Sequence, residues 1–412
     1  MTDSNESAVS DNSESTVSDS SESAVSDSSE STVSDGVLFV THSPQRSGAE
    51  SVMLDLATEC HRRGMSVSVA CPVGPLSQSF PPWVVHVEIP HLGRDHGRRT
   101  RAGAAWGMAR SMVIAARMLR AHRGTPIVAN SAHTLPALRL AGVRSVAWLV
   151  HDHVVSTKTR VFIAAGRPLL DRVVAVSPTT ASALDGLVDH VAVGRLGVDI
   201  PDTAPTGTPT TGALRAGTLS VLTPWKGIDV FLEAVARIED ATAVVAGEAF
   251  PGDVGYAAQL RERAGQPDLA GRVTFPGRVR AADALAEWTV HVSASIAPEA
   301  GPLTAMEAMA AGVPVVATDH GNPSTLLADR RGVLVPPGDP VALAEAMSSI
   351  AADPVGSAAM VRRAYAHVAE HHDRRETVPA LLDLLVGTTR SSAPDAHADA
   401  VATPSRGGGG AR

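Results

Sequence analysis

Cysteine is nearly missing: Cys60 and Cys71 are the only two in 412 residues. Two thiols build neither a disulfide framework nor a Cys/His metal cluster, and their scarcity fits a reducing compartment. Aromatic residues make up 3% of the chain, too few for the stacking surfaces that hold single-stranded nucleic acid. No apolar run approaches the ~18 residues of a membrane span, and the amino terminus lacks the basic and apolar regions of a secretory leader. Lysine occurs only as Lys158 and Lys226. No Asp-x-Asp is present, the carboxylate pair that commonly holds a divalent metal at nucleotide sites. Gly-x-Gly-x-x-Gly is missing too, which disfavours a Rossmann oxidoreductase. The expectation is a cytoplasmic protein with no resident cofactor and no catalytic metal.

Charge is unevenly placed. The formal net charge is −8, but residues 1–35 hold nine of the 43 acids and no base, leaving 34 acids against 35 bases elsewhere. Those residues are one octad written four times, beginning Ser4-Asn-Glu-Ser-Ala-Val-Ser-Asp11. A single valine per octad builds no core, so a disordered acidic tail is expected, serving as a solvating extension or a partner-binding arm. The Ser/Ala/Gly-rich stretch 388–412 reads the same way. The one basic concentration runs from Arg94, Arg98, Arg99 and Arg101 through Arg110, Arg117, Arg120 and Arg123. It fits an anionic acceptor, a peripheral contact with the inner face of a membrane, or a solvated helix face.

Between the tails, short β-branched runs alternate with helical patterns. Val37–Thr41, Val67–Cys71 and Val146–Val150 read as buried strands, and Ala49–Arg63 as the first helix. A Pro/Thr/Gly-rich break at 199–213 precedes a second alternation. The fold class is therefore α/β, two Rossmann-like doubly wound domains facing across a cleft, at 36–198 and 214–387 with a hinge between them. In Ser293–Thr318 a strand end, a loop, a short helix opened by Pro302 and a new strand follow one another. There Glu307 shares a helix face with Leu303, Met306 and Ala310. A buried carboxylate needs a donor or an opening, so Glu307 either pairs with a nearby arginine or faces the cleft.

Other candidates gather at strand ends. Ser47-Gly48 lies between the first strand and its helix, where amides and the helix dipole attract anions, or it is simply a tight turn. Thr223-Pro-Trp-Lys226-Gly227 sets a lysine at another strand end, either reaching a phosphate or solvated in a loop. The helix after Pro302 offers the amides of Leu303 and Thr304. His151, directly after the strand 146–150, faces the cleft or caps a turn with Asp152.

With these residues together the chain resembles glycosyltransferase family 4, the retaining group with the GT-B fold, from about Val37 to Val386. Glu299 and Glu307 match the family's Glu-x7-Glu motif within Pro298-Glu-Ala-Gly-Pro-Leu-Thr-Ala-Met-Glu-Ala-Met-Ala310. Ser47-Gly48-Ala49-Glu50, Gly197-Val-Asp199, Trp225-Lys226-Gly227 and Gly247-Glu248 support it. The resemblance implies a nucleotide-diphosphate sugar donor and an acceptor that is a glycan, a lipid-linked group or a small molecule. By the same resemblance Glu307 would hold the donor ribose and Glu299 the sugar hydroxyls. Lys226 and the amides of Gly48, Leu303 and Thr304 would face the diphosphate, with Thr223 beside them, and His151 would lie near the reacting centre. Nucleotide-sugar epimerisation and non-catalytic binding are the alternatives on the same fold. Three positions depart from the family pattern: Val221 replaces an arginine, Leu196 an asparagine, and Gly321-Asn-Pro-Ser324 stands where Gly-Gly-x-Glu is common.

Overall fold

The computed structural model describes residues 36–92, 101–153, 156–205 and 213–387. The octad repeat, Arg94, Arg98, Arg99, the centre of the Pro/Thr/Gly-rich break and the tail from 388 lie outside them. Two wholly parallel sheets form the framework. The first has the order β3-β2-β1-β4-β5-β6-β7, with β1 Gly36–Val40, β2 Ser66–Cys71, β3 Val84–Glu88, β4 Ile127–Ala129, β5 Val146–Val150, β6 Leu170–Ala175 and β7 Ala192–Val193. The second has the order β10-β9-β8-β11-β12-β13, with β8 Arg215–Leu219, β9 Thr242–Ala246, β10 Val273–Gly277, β11 Val290–Ser293, β12 Val315–Thr318 and β13 Val333–Val335.

Helices cover both faces of each sheet, which explains why the inner strands read as apolar runs rather than alternations. Every residue of β5 and β12 is buried, and β1 is buried from Val37 onward. In each sheet the strand order reverses beside the first strand, at β1/β4 and at β8/β11. Loops leaving the carboxyl ends there bound a crevice, the usual ligand position in such sheets.

Four helices were not anticipated, the single turns Pro75–Gln78 and Asn322–Leu326 and the longer Leu135–Ala141 and Thr157–Gly166. All are short. Thr157–Gly166 depends on a cap, the Ser156 hydroxyl accepting from the Thr159 amide at 3.0 Å. Pro302 also sits one position earlier than expected. It is the N-cap, with ψ 78° outside the helical range, and the helix runs Leu303–Ala311. Gly312 ends that helix in the left-handed region at φ 77°, where a side chain would be strained.

The last helix among the described residues, Arg374–Val386, crosses back to the first sheet. Its entry is a bridge in which the Val198 amide donates to His372 O at 2.8 Å and the Arg374 amide donates to Val198 O at 3.0 Å. Leu381, Leu382 and Leu385 then share one buried cluster with Leu56 and Val174. Arg63 pairs with Asp383, and Arg172 donates to Leu385 O at 3.2 Å.

Candidate active site

The loops leaving both switch points enclose two adjoining cavities of about 390 and 630 Å³. The smaller opens toward the first sheet and is lined by His42, Gly48, Asn130, His151, His153, Thr223, Lys226, Glu299 and Leu303, among others. The larger lies against the second sheet, with Gly48, Lys226, Glu299, Leu303, Thr304, Glu307 and Arg374 in its wall. All eight candidates read from the sequence thus line one crevice, and four of them (Gly48, Lys226, Glu299 and Leu303) line both cavities.

Glu299 is the best-held group. It is buried, and one carboxylate oxygen accepts from Ser293 Oγ at 2.7 Å and from Ser295 Oγ. The other pairs with Lys226 Nζ at 2.9 Å. Burial alone would raise its pKa, but the Lys226 charge and the two serine hydroxyls outweigh it and hold the carboxyl below its usual value. Its backbone is fixed as well, since the Asn322 amide donates to Glu299 O at 2.8 Å. Gly321 makes that approach feasible: its φ is 72°, and a Cβ there would lie 2.6 Å from Glu299 O.

Lys226 follows β8 on a short 3-10 turn, Pro224–Lys226, with Nζ 4.2 Å from the Trp225 ring centre. Gly227 closes the turn at φ 61°. Glu307 contrasts with Glu299. It is half-buried on the helix Leu303–Ala311, and no hydrogen bond or ion pair links its carboxylate to another described residue. Burial raises its pKa to about 7; Arg374 opposes the shift, while Asp199 and Asp55 reinforce it. The expected choice between an arginine pair and the cleft is therefore resolved toward the cleft.

His151 extends from β5 and places Nε2 2.8 Å from Asn130 Oδ1. Burial lowers its pKa to about 3, so the ring is neutral. Asn130 is anchored in turn, its Nδ2 donating to Ala49 O at 3.3 Å. His153 Nε2 donates to Glu299 O at 3.3 Å, bridging the two halves of the crevice. Glu50 is inward-facing and structural: Thr41 Oγ1 donates to it at 3.0 Å and the Ser47 amide at 3.3 Å, fixing the turn that presents Gly48.

Several contributors were not singled out from the sequence. Ser293 and Ser295 lay inside the motif stretch, and their hydroxyl spacing was the available signal. Asn130 and Asp55 carry no local signature, and Arg374 arrives from the far end of the chain. Among the described residues no cluster of three or more His, Cys, Asp or Glu is arranged to hold a metal ion. No helix there is long and apolar enough to cross a membrane.

Comparison with known proteins bears on the family and the fold. The family model described as glycosyl transferases group 1 matches residues 213–353. The lipopolysaccharide core biosynthesis mannosyltransferase LpcC of Rhizobium leguminosarum bv. viciae is 30% identical over 241 residues, 54% of this chain and 67% of that protein. The chain belongs to the group 1 glycosyl transferases. A phosphatidyl-myo-inositol mannosyltransferase of Mycobacterium leprae is 28% identical to this glycosyltransferase over 325 residues, 74% of this chain and 83% of the relative. The match to the mannosyltransferase LpsB of Rhizobium meliloti is shorter, 32% identical over 31% of this chain and 38% of LpsB. Among solved structures, Anabaena HepE in complex with UDP and glucose superposes with a TM-score of 0.71 at 22% identity, covering 84% of this chain and 98% of HepE. WaaG, a glycosyltransferase involved in lipopolysaccharide biosynthesis, gives 0.67 at 15% identity, covering 85% and 100%. These two show the shared two-sheet fold.

Proposed function

We propose that this glycosyltransferase transfers a sugar with retention from a nucleotide-diphosphate donor, without a catalytic metal. The observation that carries the reading is the placement of Lys226 and the carboxylates Glu299 and Glu307 along one crevice. The nucleoside end of the donor lies in the larger cavity, where Glu307, lacking a partner, accepts from the ribose hydroxyls. The diphosphate lies at Lys226 and the amides of Gly48 and Thr304, with Thr223 beside them; the Leu303 amide, expected to join them, instead donates to Gly301 O at 2.9 Å. The sugar sits between Glu299 and His151, and the smaller cavity receives the acceptor.

In the proposed step the bond from the anomeric carbon to the diphosphate oxygen breaks, and the acceptor oxygen bonds to the same face. The acceptor proton passes to the departing diphosphate oxygen. Charge grows on that oxygen as the bond opens, and preorganised donors aimed there supply the largest share of catalysis. His151, kept neutral by burial, accepts or donates a hydrogen bond near the sugar without adding a competing positive charge.

The proposed acceptor is membrane-associated, a glycan or lipid-linked group, as the names of LpcC and the Mycobacterium leprae relative suggest for those proteins. Support comes from the helix Arg101–Leu119, which exposes Trp106, Arg110, Val113 and Arg117 on its outer side. Cations beside an exposed tryptophan suit an anionic lipid surface. The test uses donor panels with and without acceptor lipid. Transfer with the donor's anomeric configuration kept, undiminished by a chelator, supports the reading. Conversion of donor into an epimer with no acceptor present would instead make the protein an epimerase.

A further inference from the structure

The charges around the larger cavity do not pair evenly. Lys226 is matched by Glu299 at 2.9 Å. Arg374 stands 3.2 Å from Asp199 and 3.7 Å from Asp55. Arg278 lies 3.8 Å from Glu248, and Arg280 lies 3.9 Å from Asp283. The remaining cation of that wall, Arg46, forms no ion pair within 4.0 Å among the described residues. Its charge acts on Asp55, where burial raises the pKa and Arg374 and Arg46 pull it back.

Arg46 is exposed and immediately precedes the Ser47-Gly48 turn at the start of the helix Gly48–Arg62. Its backbone is tied across the crevice, because Arg278 Nη2 donates to Arg46 O at 3.4 Å. On the opposite wall the loop after β8 presents Val221, an apolar side chain, to both cavities. A diphosphate carries negative charge on each phosphate, whereas the charge of Lys226 is already balanced by Glu299. A paired arginine would have to leave its carboxylate to reach the ligand. Arg46 would not, and a guanidinium can contact a phosphate through two parallel hydrogen bonds.

Resting on the nucleotide-sugar reading, we infer that Arg46 binds the donor diphosphate from the first-sheet side, so that the phosphate clamp is divided between the two halves of the crevice. Donor binding then links the β1 loop to the loop after β8, and the Arg278 contact holds the β1 loop ready for it.

The test measures binding of UDP and GDP, and of uridine and guanosine, to the full chain and its variants by titration calorimetry. Arg46→Ala is expected to weaken binding of the accepted nucleoside diphosphate roughly tenfold or more, as loss of a charge-assisted contact implies, while nucleoside binding stays unchanged. Val221→Arg in the Arg46→Ala background, which returns a cation from the opposite wall, is expected to recover most of that loss. Equal diphosphate affinity in Arg46→Ala and the unaltered protein overturns the inference while leaving the nucleotide-sugar reading intact. Equal weakening of nucleoside and diphosphate overturns it too, by making Arg46 a structural residue. If the unaltered protein binds no nucleoside diphosphate, the nucleotide-sugar reading falls and this inference falls with it.

Discussion

Glu299 and Glu307 stand eight positions apart on one loop and helix, and their surroundings are opposite. Glu299 has two serine hydroxyls and a lysine, and its pKa is held down. Glu307 has no bonded partner, and its pKa is raised to about 7. A carboxylate satisfied by its own protein is fixed as an anion, ready to orient other groups. One left unsatisfied at a cavity wall gains most from an incoming hydroxyl. The same side chain therefore has two chemical characters, set by what the fold places around it.

The comparison is broken most severely through Lys226→Ala. Removing the cation leaves Glu299 buried without its counter-charge, a loss of about 3 kcal/mol in stability. Transfer is expected to fall on the order of a hundredfold or more as well; thermal melts and initial rates read both. Glu299→Gln keeps the shape and removes the charge. Its rate is expected to fall by roughly a hundredfold with a smaller change in melting temperature, and a near-normal rate would remove Glu299 from the sugar site.

Glu307→Gln sharpens the other half. Since the folded pKa is raised from 4.5 to about 7, protonation stabilises the native state. That contribution is fully present below pH 4.5 and is lost as pH rises through 7. Glutamine carries no such dependence, so the melting temperature of the unaltered protein should drop relative to the variant across that window. A constant difference would contradict the raised pKa. The variant is also expected to bind nucleoside several-fold more weakly. The smallest effect belongs to Asn130→Ala, which frees the His151 ring while leaving its chemistry intact. A drop of several-fold in the turnover rate, with donor binding unchanged, would separate orientation of His151 from binding.

How far the sequence revealed this arrangement depends on distance along the chain. The strand Val146–Val150 was bounded correctly because five apolar residues end at a polar His-Asp pair. The Glu299–Glu307 stretch was readable for a similar reason: Pro302, Gly312 and the apolar helix face are all local signals. The helix Thr157–Gly166 was missed because its start depends on one hydroxyl cap rather than on a strong pattern. Asn130, Asp55 and Arg374 were missed because they reach the crevice from three different elements. Tertiary placement alone makes Arg374, 67 positions beyond Glu307 in the chain, the principal cation influencing it.

The returning helix Arg374–Val386 has a consequence for how the molecule is made. Leu381, Leu382 and Leu385 complete a hydrophobic cluster in which Leu56 and Val174 are synthesised long before them. While the second half is still being translated, the first half must wait with that apolar face uncovered. A nascent chain stopped short of residue 374 should therefore bind a hydrophobic dye strongly, and one extended through residue 387 should not. A helix made late closes the unit that was begun first.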